Sequence, residues 1–234
     1  MIVDKDGVSA IDGTTGFFSK TSSSYWSTLD GNDIAKGGVA GQLTNPATRK
    51  VLTWTGADRT PSASVGITGT ASLETFQSSN SGLTTTLLGA TSTAERTRYI
   101  DWALGKTINA DGSTSSTSRK SVADVLHNEP RLIAYTTDED LVRADTAASK
   151  EQLYMFFGDN EGFIHAIDPK TTDSDNLIGG KEKWAFLPKE LLSNPGAYQR
   201  DAKGSINKRY GMDGLMNVWA EYGPISTDKS RPIT

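Results

Sequence analysis

Cysteine is missing from this chain, and histidine is nearly so, with only His127 and His165 among 234 residues. Without thiols, the chain has no zinc finger, iron–sulfur cluster or thiol catalysis. A metal site or a general base would need other side chains converging on a histidine, and neither neighbourhood contains such a motif. We therefore expect packing or turn-stabilising roles for both histidines, and no catalytic residue.

Concentrated charge and long apolar runs are scarce as well. The formal net charge of −4 leaves no basic face for nucleic acid. No run approaches the roughly 18 apolar residues of a membrane-spanning helix, so no direct membrane insertion is expected. The N-terminus, MIVDKDGVSAIDGT, lacks the basic and apolar parts of a signal peptide and begins inside a patterned stretch. We accordingly expect the chain to belong to a longer architecture.

Glycine, serine and threonine are plentiful, while hydrophobic residues make up only 35% of the chain. This composition predicts a β-rich, loop-rich protein and argues against a helical bundle. The character of the sequence changes near residue 120, so we predict two regions, 1–120 and 121–234. The first is loop-rich, with one helix near 94–104 that the capping sequence STAE opens and Gly105 closes. The stretch 106–120, KTINADGSTSSTSRK, is predicted to be an exposed or disordered loop.

The most regular pattern in the chain lies in residues 153–192. The apolar run LYMFF predicts a buried strand, and the turn sequence GDNEG follows it. FIHAID predicts a second strand and KEKWAFL a third, before PKELL, a short helix with Pro188 at its first position. A strand, a glycine-rich turn, a strand ending in Asp and a strand carrying Trp, within about forty residues, are typical of one β-propeller blade.

Shorter elements are predicted on both sides of this unit. They are strands at 8–11, 17–18, 51–55, 131–136 and 215–219, a weak helix at 83–88, and a long loop at 193–207. The five tryptophans are spread along the chain, so we expect them to be packing anchors and not a ligand platform.

An acidic loop follows the second strand of the 153–192 unit. Calcium prefers carboxylate and amide oxygens, and Asp173, Asp175 and Asn176 are the metal-ligand candidates in this loop. The other ligands of a calcium loop are missing, which favours a solvated hairpin loop over a metal site. The sequence contains no phosphate-binding loop, G-x-S-x-G turn or H-E-x-x-H helix.

Several segments resemble the C-terminal region of PilC/PilY-type proteins, the tip-associated adhesins and assembly factors of type IV pili. In chain order they are ADVLHNEP, LYMFFGDNEGFIHAID, KWAFLPKELL and RYGMDGLMNVWA. Upstream, the family's segment that leads into its propeller is similar to SYWSTLDGNDIAKGGVAGQL, TRKVLTWTG and RYIDWALGK. The resemblance touches most of residues 15–220, and one departure is Ala123-Asp124 in place of the family's Gly-Asp.

The fold implied by the resemblance is mainly β with a few short helices: a partial, unclosed β-propeller of antiparallel blades. Residues 1–120 would be the connecting region that precedes the propeller, and 121–234 would be its first blade or blades. Family members are far longer, and a closed propeller needs about four or more blades. The chain would therefore be a fragment.

The function implied is that of a non-enzymatic cell-surface component of type IV pili, a tip adhesin and a factor in pilus assembly and retraction. Its partners would be minor pilins at the pilus tip and a host-cell or abiotic surface ligand, without nucleic acid. Its location would be extracellular, at the pilus tip or the outer-membrane surface of a Gram-negative bacterium. The family carries calcium loops, so calcium is the cofactor to test. Loops at 138–150, 168–180 and 193–207 would form the contact surfaces.

Two alternatives stay open. The pattern G-x-x-x-A-x-D-x-x-T followed by tryptophan also occurs in quinoprotein-type oxidoreductase propellers, which bind pyrroloquinoline quinone with calcium. Those enzymes need eight blades and a set of cofactor ligands that is absent here. The third reading is a purely structural propeller piece without a ligand of its own.

Overall fold

The computed structural model of the chain describes residues 2–23, 26–27, 31, 33, 35–56, 73–134, 153–169, 179–200 and 209–218. Within them the fold is mainly β with a few short helices, and a mixed six-stranded sheet lies at its centre. In chain order the elements are α1 (Gly38–Gln42), β1 (Val51–Thr53), β2 (Glu74–Thr75), α2 (Thr93–Ala103), β3 (Lys106–Ile108), β4 (Thr114–Ser118), β5 (Arg131–Ala134), β6 (Leu153–Gly158), β7 (Ile164–Asp168), β8 (Lys181–Leu187), a 3₁₀ helix (Lys189–Leu191) and α3 (Asn194–Arg200).

The central sheet has the strand order β2-β1-β8-β7-β6-β5. Strands β5 to β8 form an antiparallel meander, in which each strand pairs with the next one in the chain. The three strands predicted within 153–192 are thereby confirmed, and the strand predicted at 131–136 is confirmed over 131–134. Among the described strands the sheet is open, with β2 and β5 at its edges, and no closed barrel or propeller is formed.

Strand β1 joins this sheet by pairing in parallel with β8, which brings Val51 opposite Ala185. A side-chain bond strengthens the junction, because the buried Oγ1 of Thr53 donates to the carbonyl oxygen of Leu187 at 2.7 Å. Strand β1 belongs to the first half of the chain and β8 to the second. A single sheet therefore crosses the division predicted at residue 120.

The main hydrophobic core packs the sheet against α2 and the turns that precede it. Its buried members are Val51, Phe76, Leu83, Leu88, Tyr99, Ile100, Ala103, Phe163, Ala185, Leu187 and Leu192. Burial of one large apolar side chain contributes about 1.5–3 kcal/mol. Because these side chains come from both halves of the chain, the core stabilises the two halves together.

Helix α2 confirms the helix predicted near 94–104 and both of its end signals. The hydroxyl oxygen of Ser92 accepts a hydrogen bond from the backbone N–H of Glu95 at 3.1 Å. The Glu95 carboxylate reaches back one residue further than a standard capping box, to the N–H and hydroxyl of Thr91, both at 2.7 Å. At the other end, Gly105 has φ +99°, a left-handed conformation that favours glycine.

The prediction of an exposed or disordered loop at 106–120 is wrong, because this stretch contains the β3–β4 hairpin. Asn109 and Ser113 close the hairpin through a backbone bond of 2.9 Å, and Gly112 has φ +82° between them. The run of serine and threonine that indicated disorder instead supplies small, partly β-branched side chains that suit a strand.

The long loop predicted at 193–207 is also corrected, since its first half contains α3. This helix approaches α2 closely at Gly196, where a Cβ atom would lie 2.5 Å from the ring of Tyr99. Glycine and proline in this segment indicated a loop, whereas here glycine serves a helix–helix contact. Residues 201–208 lie outside the described residues.

The strand predicted at 215–219 is not formed over its described part, 215–218. Side chains from the segment before β5 and from β5 itself bind the backbone here instead of a neighbouring strand. Asn128 donates to the carbonyl oxygen of Gly214 at 2.7 Å, and Arg131 donates to that of Met216 at 3.1 Å.

Three smaller predictions are revised as well. Residues 83–88 form turns and not a helix, although both ends of the stretch are buried in the core. The strands predicted at 8–11 and 17–18 are reduced to isolated bridges. Pro188 is the N-cap of the 3₁₀ helix, in an extended conformation, and not its first helical residue.

Candidate functional site

The turn between β6 and β7 is organised by the carboxylate of Asp159. One oxygen, Oδ1, accepts hydrogen bonds from the backbone N–H groups of Gly162 and Phe163, at 3.0 and 2.9 Å. The other, Oδ2, lies 3.0 Å from Nε2 of His165 and accepts from the N–H of Ala123 at 3.3 Å. The aspartate of the predicted GDNEG turn thus stabilises the turn through hydrogen bonds from the turn's own backbone.

His165 lies in β7 with its side chain 1% exposed, stacked on the ring of Phe157 with centroids 4.7 Å apart. Its Nε2 faces Asp159 and its Nδ1 lies 2.8 Å from Oε2 of Glu182. Burial disfavours the charged ring, but hydrogen bonds to Asp159 and Glu182 outweigh it and raise the pKa of His165 to about 9. At neutral pH the ring is therefore an imidazolium that donates from both nitrogens.

Glu182, in β8, connects this histidine to Arg49. The Arg49 guanidinium binds the carboxylate in a two-pronged manner, Nε to Oε1 at 2.7 Å and Nη2 to Oε2 at 3.0 Å. Its Nη1 donates to the carbonyl oxygen of Ala103 at 2.8 Å. Burial by itself would raise the pKa of Glu182. The charge of Arg49 and the hydrogen bonds from Arg49 and His165 outweigh burial, and the pKa is lowered to about 2.

Glu161, in the same turn, forms a second buried ion pair with Arg119. Nη2 of Arg119 lies 3.1 Å from Oε2 of Glu161, and the guanidinium stacks 3.8 Å from the ring centroid of Trp102. Burial raises the pKa of Glu161 to about 7, because desolvation and the charge of Asp159 exceed the attraction of Arg119. We call these six residues the charge network: Arg49, Glu182, His165, Asp159, Glu161 and Arg119.

Two other segments are bound to this turn, residues 123–128 and 209–214. Asn160 donates to Oδ2 of Asp124 at 2.8 Å. Asn128 accepts from the N–H of Gly158 at 2.8 Å through its side-chain oxygen. The N–H of Met212 donates to the carbonyl oxygen of Asp159 at 2.9 Å.

Glycine allows the close approach of these segments. A Cβ atom on Gly211 would lie 2.5 Å from the backbone nitrogen of Gly162, and one on Gly158 would lie 2.7 Å from Cβ of Met212. Contacts this short leave no room for any larger residue without a shift of backbone. Gly158 of the GD sequence and Gly211, the first glycine of YGMDG, are thus required by packing.

The geometry suits a structural network better than a reaction centre. Both nitrogens of His165 are occupied by carboxylates, and its ring is almost fully enclosed. A general base needs access to the proton that it removes, and a nucleophile needs a free face. In this arrangement opposite charges pair with one another and hold together β7, β8, the β6–β7 turn, and the residues just before β1 and just after β4.

The structure separates the two histidines that the sequence singled out. His165 is buried in the charge network, with Asp159 and Glu182 at its ring nitrogens, a convergence of side chains that the sequence did not indicate. His127 is exposed and lies 2.8 Å from Oδ1 of Asp213, joining the 123–128 and 209–214 segments.

The calcium candidates Asp173, Asp175 and Asn176 lie outside the described residues, as does the predicted contact loop at 138–150. Only the ends of the 168–180 loop and the first half of 193–207 are described. Within the part of the chain that the structure describes, no group of three or more His, Asp or Glu side chains is arranged to hold a metal ion.

Five members of the charge network were missed by sequence reasoning: Arg49, Arg119, Asp159, Glu161 and Glu182. Glu182 stands between two lysines in KEK, a pattern that indicates a solvent-facing strand end. Glu161 stands in a turn, where acidic residues are ordinary. The one available signal was a histidine inside an otherwise apolar strand, which indicates a buried partner without identifying it.

Among the described residues, no helix combines the length and apolar character needed to cross a bilayer. Comparison of the chain with protein-family models, curated proteins and solved structures found no match.

Proposed function

We propose that this chain is the connecting region and an early blade of the β-propeller of a PilC/PilY-type protein. Such a protein is a non-enzymatic surface component of type IV pili, a tip adhesin and a factor in pilus assembly and retraction. The observation that carries the proposal is convergence: segments that carry the resemblance, though far apart in sequence, meet at one end of the β5–β8 meander.

Three contacts make up this convergence. Asp124 of ADVLHNEP binds Asn160 of the GDNEG turn, and Asn128 of the same segment binds the glycine that opens that turn. Met212 of RYGMDG binds the backbone of Asp159. The upstream segment TRKVLTWTG also takes part, because it contributes Arg49 and β1. Unrelated turn-rich segments would have no reason to pack on one another, whereas parts of one structural unit would.

The β5–β8 sheet supports a blade on its own account. Propeller blades are four-stranded antiparallel sheets, and these four strands are consecutive in the chain and in the sheet. Apolar side chains on and beside β5 are exposed: Leu126, Leu132, Tyr210, Leu215 and Val218. An uncovered apolar surface of this kind marks an interaction surface, and in an unclosed propeller the next blade would cover it.

In this proposal the charge network gives the scaffold its rigidity. Its ion pairs join β7, β8, the β6–β7 turn, and the residues just before β1 and just after β4, so the surrounding loops project from a fixed frame. Minor pilins at the pilus tip and a host-cell or abiotic surface ligand are the proposed partners, with the loops at 138–150, 168–180 and 193–207 as contact surfaces. Calcium is the cofactor to test, with Asp173, Asp175 and Asn176 as its candidate ligands, although the sequence of this loop favours a solvated hairpin over a metal site.

A pull-down with the tagged full-length parent protein from an extract of piliated cells tests the proposal. We expect the wild-type parent to recover minor pilins, and Asn128→Ala to recover less, because it removes a bond between the converging segments. Asn109→Ala is the matched control, since Asn109 lies at the exposed tip of the β3–β4 hairpin. Absence of minor pilins from the wild-type sample would overturn the proposal.

An absorbance spectrum distinguishes the quinoprotein-type oxidoreductase alternative from the proposed non-enzymatic function. The same parent protein is incubated with calcium and pyrroloquinoline quinone, and free quinone is removed. We expect no bound chromophore. A stoichiometric quinone absorbance would contradict a non-enzymatic function.

A further inference from the structure

A cavity of about 190 Å³ lies beside the charge network. It forms where the loop between α1 and β1 meets the end of β4 and the start of β8. Its volume is below the roughly 300 Å³ of sites for drug-sized ligands and well above the order of 10–15 Å³ that holds one water. The cavity therefore has room for a small ligand.

The walls of this cavity carry an excess of positive charge. Lys120, Lys181 and Arg49 line it, with Glu182 as the acidic residue. The Glu182 carboxylate is already shared between Arg49 and His165. Within the described residues, neither lysine takes part in an ion pair or a side-chain hydrogen bond. Among the residues that the structure describes, the two lysine charges thus have no carboxylate partner at the wall of a partly open cavity.

The backbone at Lys120 is held in a disfavoured conformation. It has φ +42° and is the one non-glycine residue at positive φ among those that the structure describes. Its N–H donates to the hydroxyl of Ser118 at 3.1 Å, and that hydroxyl donates to the carbonyl oxygen of Leu43. Left-handed backbone at a lysine is costly and persists where surrounding contacts impose it, often at ligand sites.

Neutral hydrogen-bond donors complete the lining. Thr44 and Ser121, which carry hydroxyl groups, line the same cavity as the two lysines. Lysine ammonium groups and hydroxyls are the groups that proteins use to bind carboxylate and phosphate oxygens. Such bonds are stronger in a partly enclosed site than on the open surface, because water competes less.

We propose that this cavity binds a small oxyanion, a carboxylate or phosphate group, between Lys120 and Lys181. Two members of the charge network, Arg49 and Glu182, line the cavity, and the pairing of Glu182 with Arg49 and His165 reduces its repulsion of the anion. The site is independent of the proposed pilus function, since it needs only residues of this chain.

Calorimetric titration of the full chain at low ionic strength tests the site, with inorganic phosphate in one arm and succinate in the other. We expect saturable binding in at least one arm, and the preferred arm identifies the source of the oxyanion. Lys120→Gln and Lys181→Gln should each weaken binding about tenfold, the loss of one charge-assisted hydrogen bond. Lys181→Arg should retain binding.

Lys183→Gln is the matched control. Lys183 lies two residues along the same strand, and its ammonium pairs with Asp168 at 3.2 Å. Thermal unfolding of every variant shows that it remains folded, and the charge-retaining arginine variant separates loss of charge from loss of structure. Absence of saturable binding in both arms, or equal weakening by the Lys183 variant, would overturn the proposal.

Discussion

The molecule contains two histidine–aspartate pairs, one in the interior of the sheet and one on its rim. The His165 side chain is 1% exposed and has carboxylates at both ring nitrogens, whereas the His127 side chain is 66% exposed and meets Asp213 at Nδ1. In the interior, a charge can be compensated only by the protein groups beside it, because water is excluded. On the rim, water screens the charges of the pair. Removing one partner is therefore expected to cost far more free energy of unfolding at the interior pair than at the rim pair.

The interior pair belongs to the charge network, and its neighbours there determine how much the free energy of unfolding falls when one partner is removed. Glu182 faces both His165 and Arg49, so one carboxylate is shared by two buried cations, and Asp159 provides the second negative charge beside His165. A buried ion pair adds little net stability over apolar packing, but removal of one partner leaves an uncompensated charge. The comparison between interior and rim is best tested by removing one partner at a time.

The largest effect is expected from Glu182→Ala. This change leaves Arg49 and His165 buried without their shared acceptor, which should lower the free energy of unfolding by about 3–5 kcal/mol. Urea unfolding followed by tryptophan fluorescence measures the change. Glu182→Gln, which keeps an acceptor oxygen but removes the charge, should cost less; no loss in Glu182→Gln would show that the negative charge is unimportant, and equal loss in both variants would show that a neutral acceptor oxygen does not stabilise the fold.

The next effect is on the pH dependence of stability. The folded pKa of His165, about 9, exceeds its ordinary value of 6.5. The stabilisation is therefore complete below pH 6.5 and is lost as the pH rises through 9, a change of about 3 kcal/mol. We expect the free energy of unfolding to fall between pH 6.5 and 9 in the wild type, and to fall less in His165→Gln. The control His127→Gln should retain the wild-type slope.

Two carboxylates determine how the free energy of unfolding depends on pH below about 7. Glu182, whose folded pKa is about 2 against an ordinary 4.5, stabilises the fold above pH 4.5, and this contribution is lost as the pH falls toward 2. Glu161, with its folded pKa raised to about 7, acts in the opposite sense, so its contribution declines as the pH rises from 4.5 to 7. Maximal stability is accordingly expected near pH 4.5, with a decline at higher pH that begins with Glu161 and continues with His165.

A smaller effect is expected from Gly211→Ala, which separates the 209–214 segment from the turn around the interior pair. The new Cβ would lie 2.5 Å from the backbone nitrogen of Gly162, so the segment must move. We expect a loss of about 1–3 kcal/mol in thermal or urea unfolding. Gly13→Ala is the control, since nothing lies within 4 Å of its Cβ position. Equal stability of the two variants would contradict the packing at Gly211.

The smallest effect is expected on the rim. Asp213→Asn removes the charge opposite His127, a pair in which the histidine is largely exposed. Exposed ion pairs contribute little, so the free energy of unfolding should change by less than about 0.5 kcal/mol. A loss comparable with that of Glu182→Ala would mean that interior and rim do not differ as the structure indicates.

Local patterns predicted much of the sheet and the main helix. The apolar run LYMFF, the turn GDNEG and the strand FIHAID carry their conformations in a few adjacent residues, as do Ser92 and Gly105 at the ends of α2. The β3–β4 hairpin and α3 were missed, because serine, threonine, glycine and proline there indicate loops. In both places the residues have little intrinsic preference for a strand or a helix, and contacts with neighbouring segments stabilise the element that forms.

The charge network was beyond the reach of local patterns. Arg49 and Glu182 are 133 residues apart in sequence, and their meeting depends on the parallel pairing of β1 with β8. Glu182 alternates with two lysines, so its burial follows from what packs on that face of β8 and not from its neighbours in the chain.

By itself, the sequence determined that the chain has no cysteine chemistry, that it is mainly β, and where β6, β7, β8 and α2 lie. These follow from composition and from periodicities that each segment carries within itself. Only the tertiary structure decided that His165 is an enclosed imidazolium, that two distant segments pack on the Asp159 turn, and that Lys120 and Lys181 share a cavity. Burial and charge pairing depend on which residues meet across the fold, and no single segment contains that information.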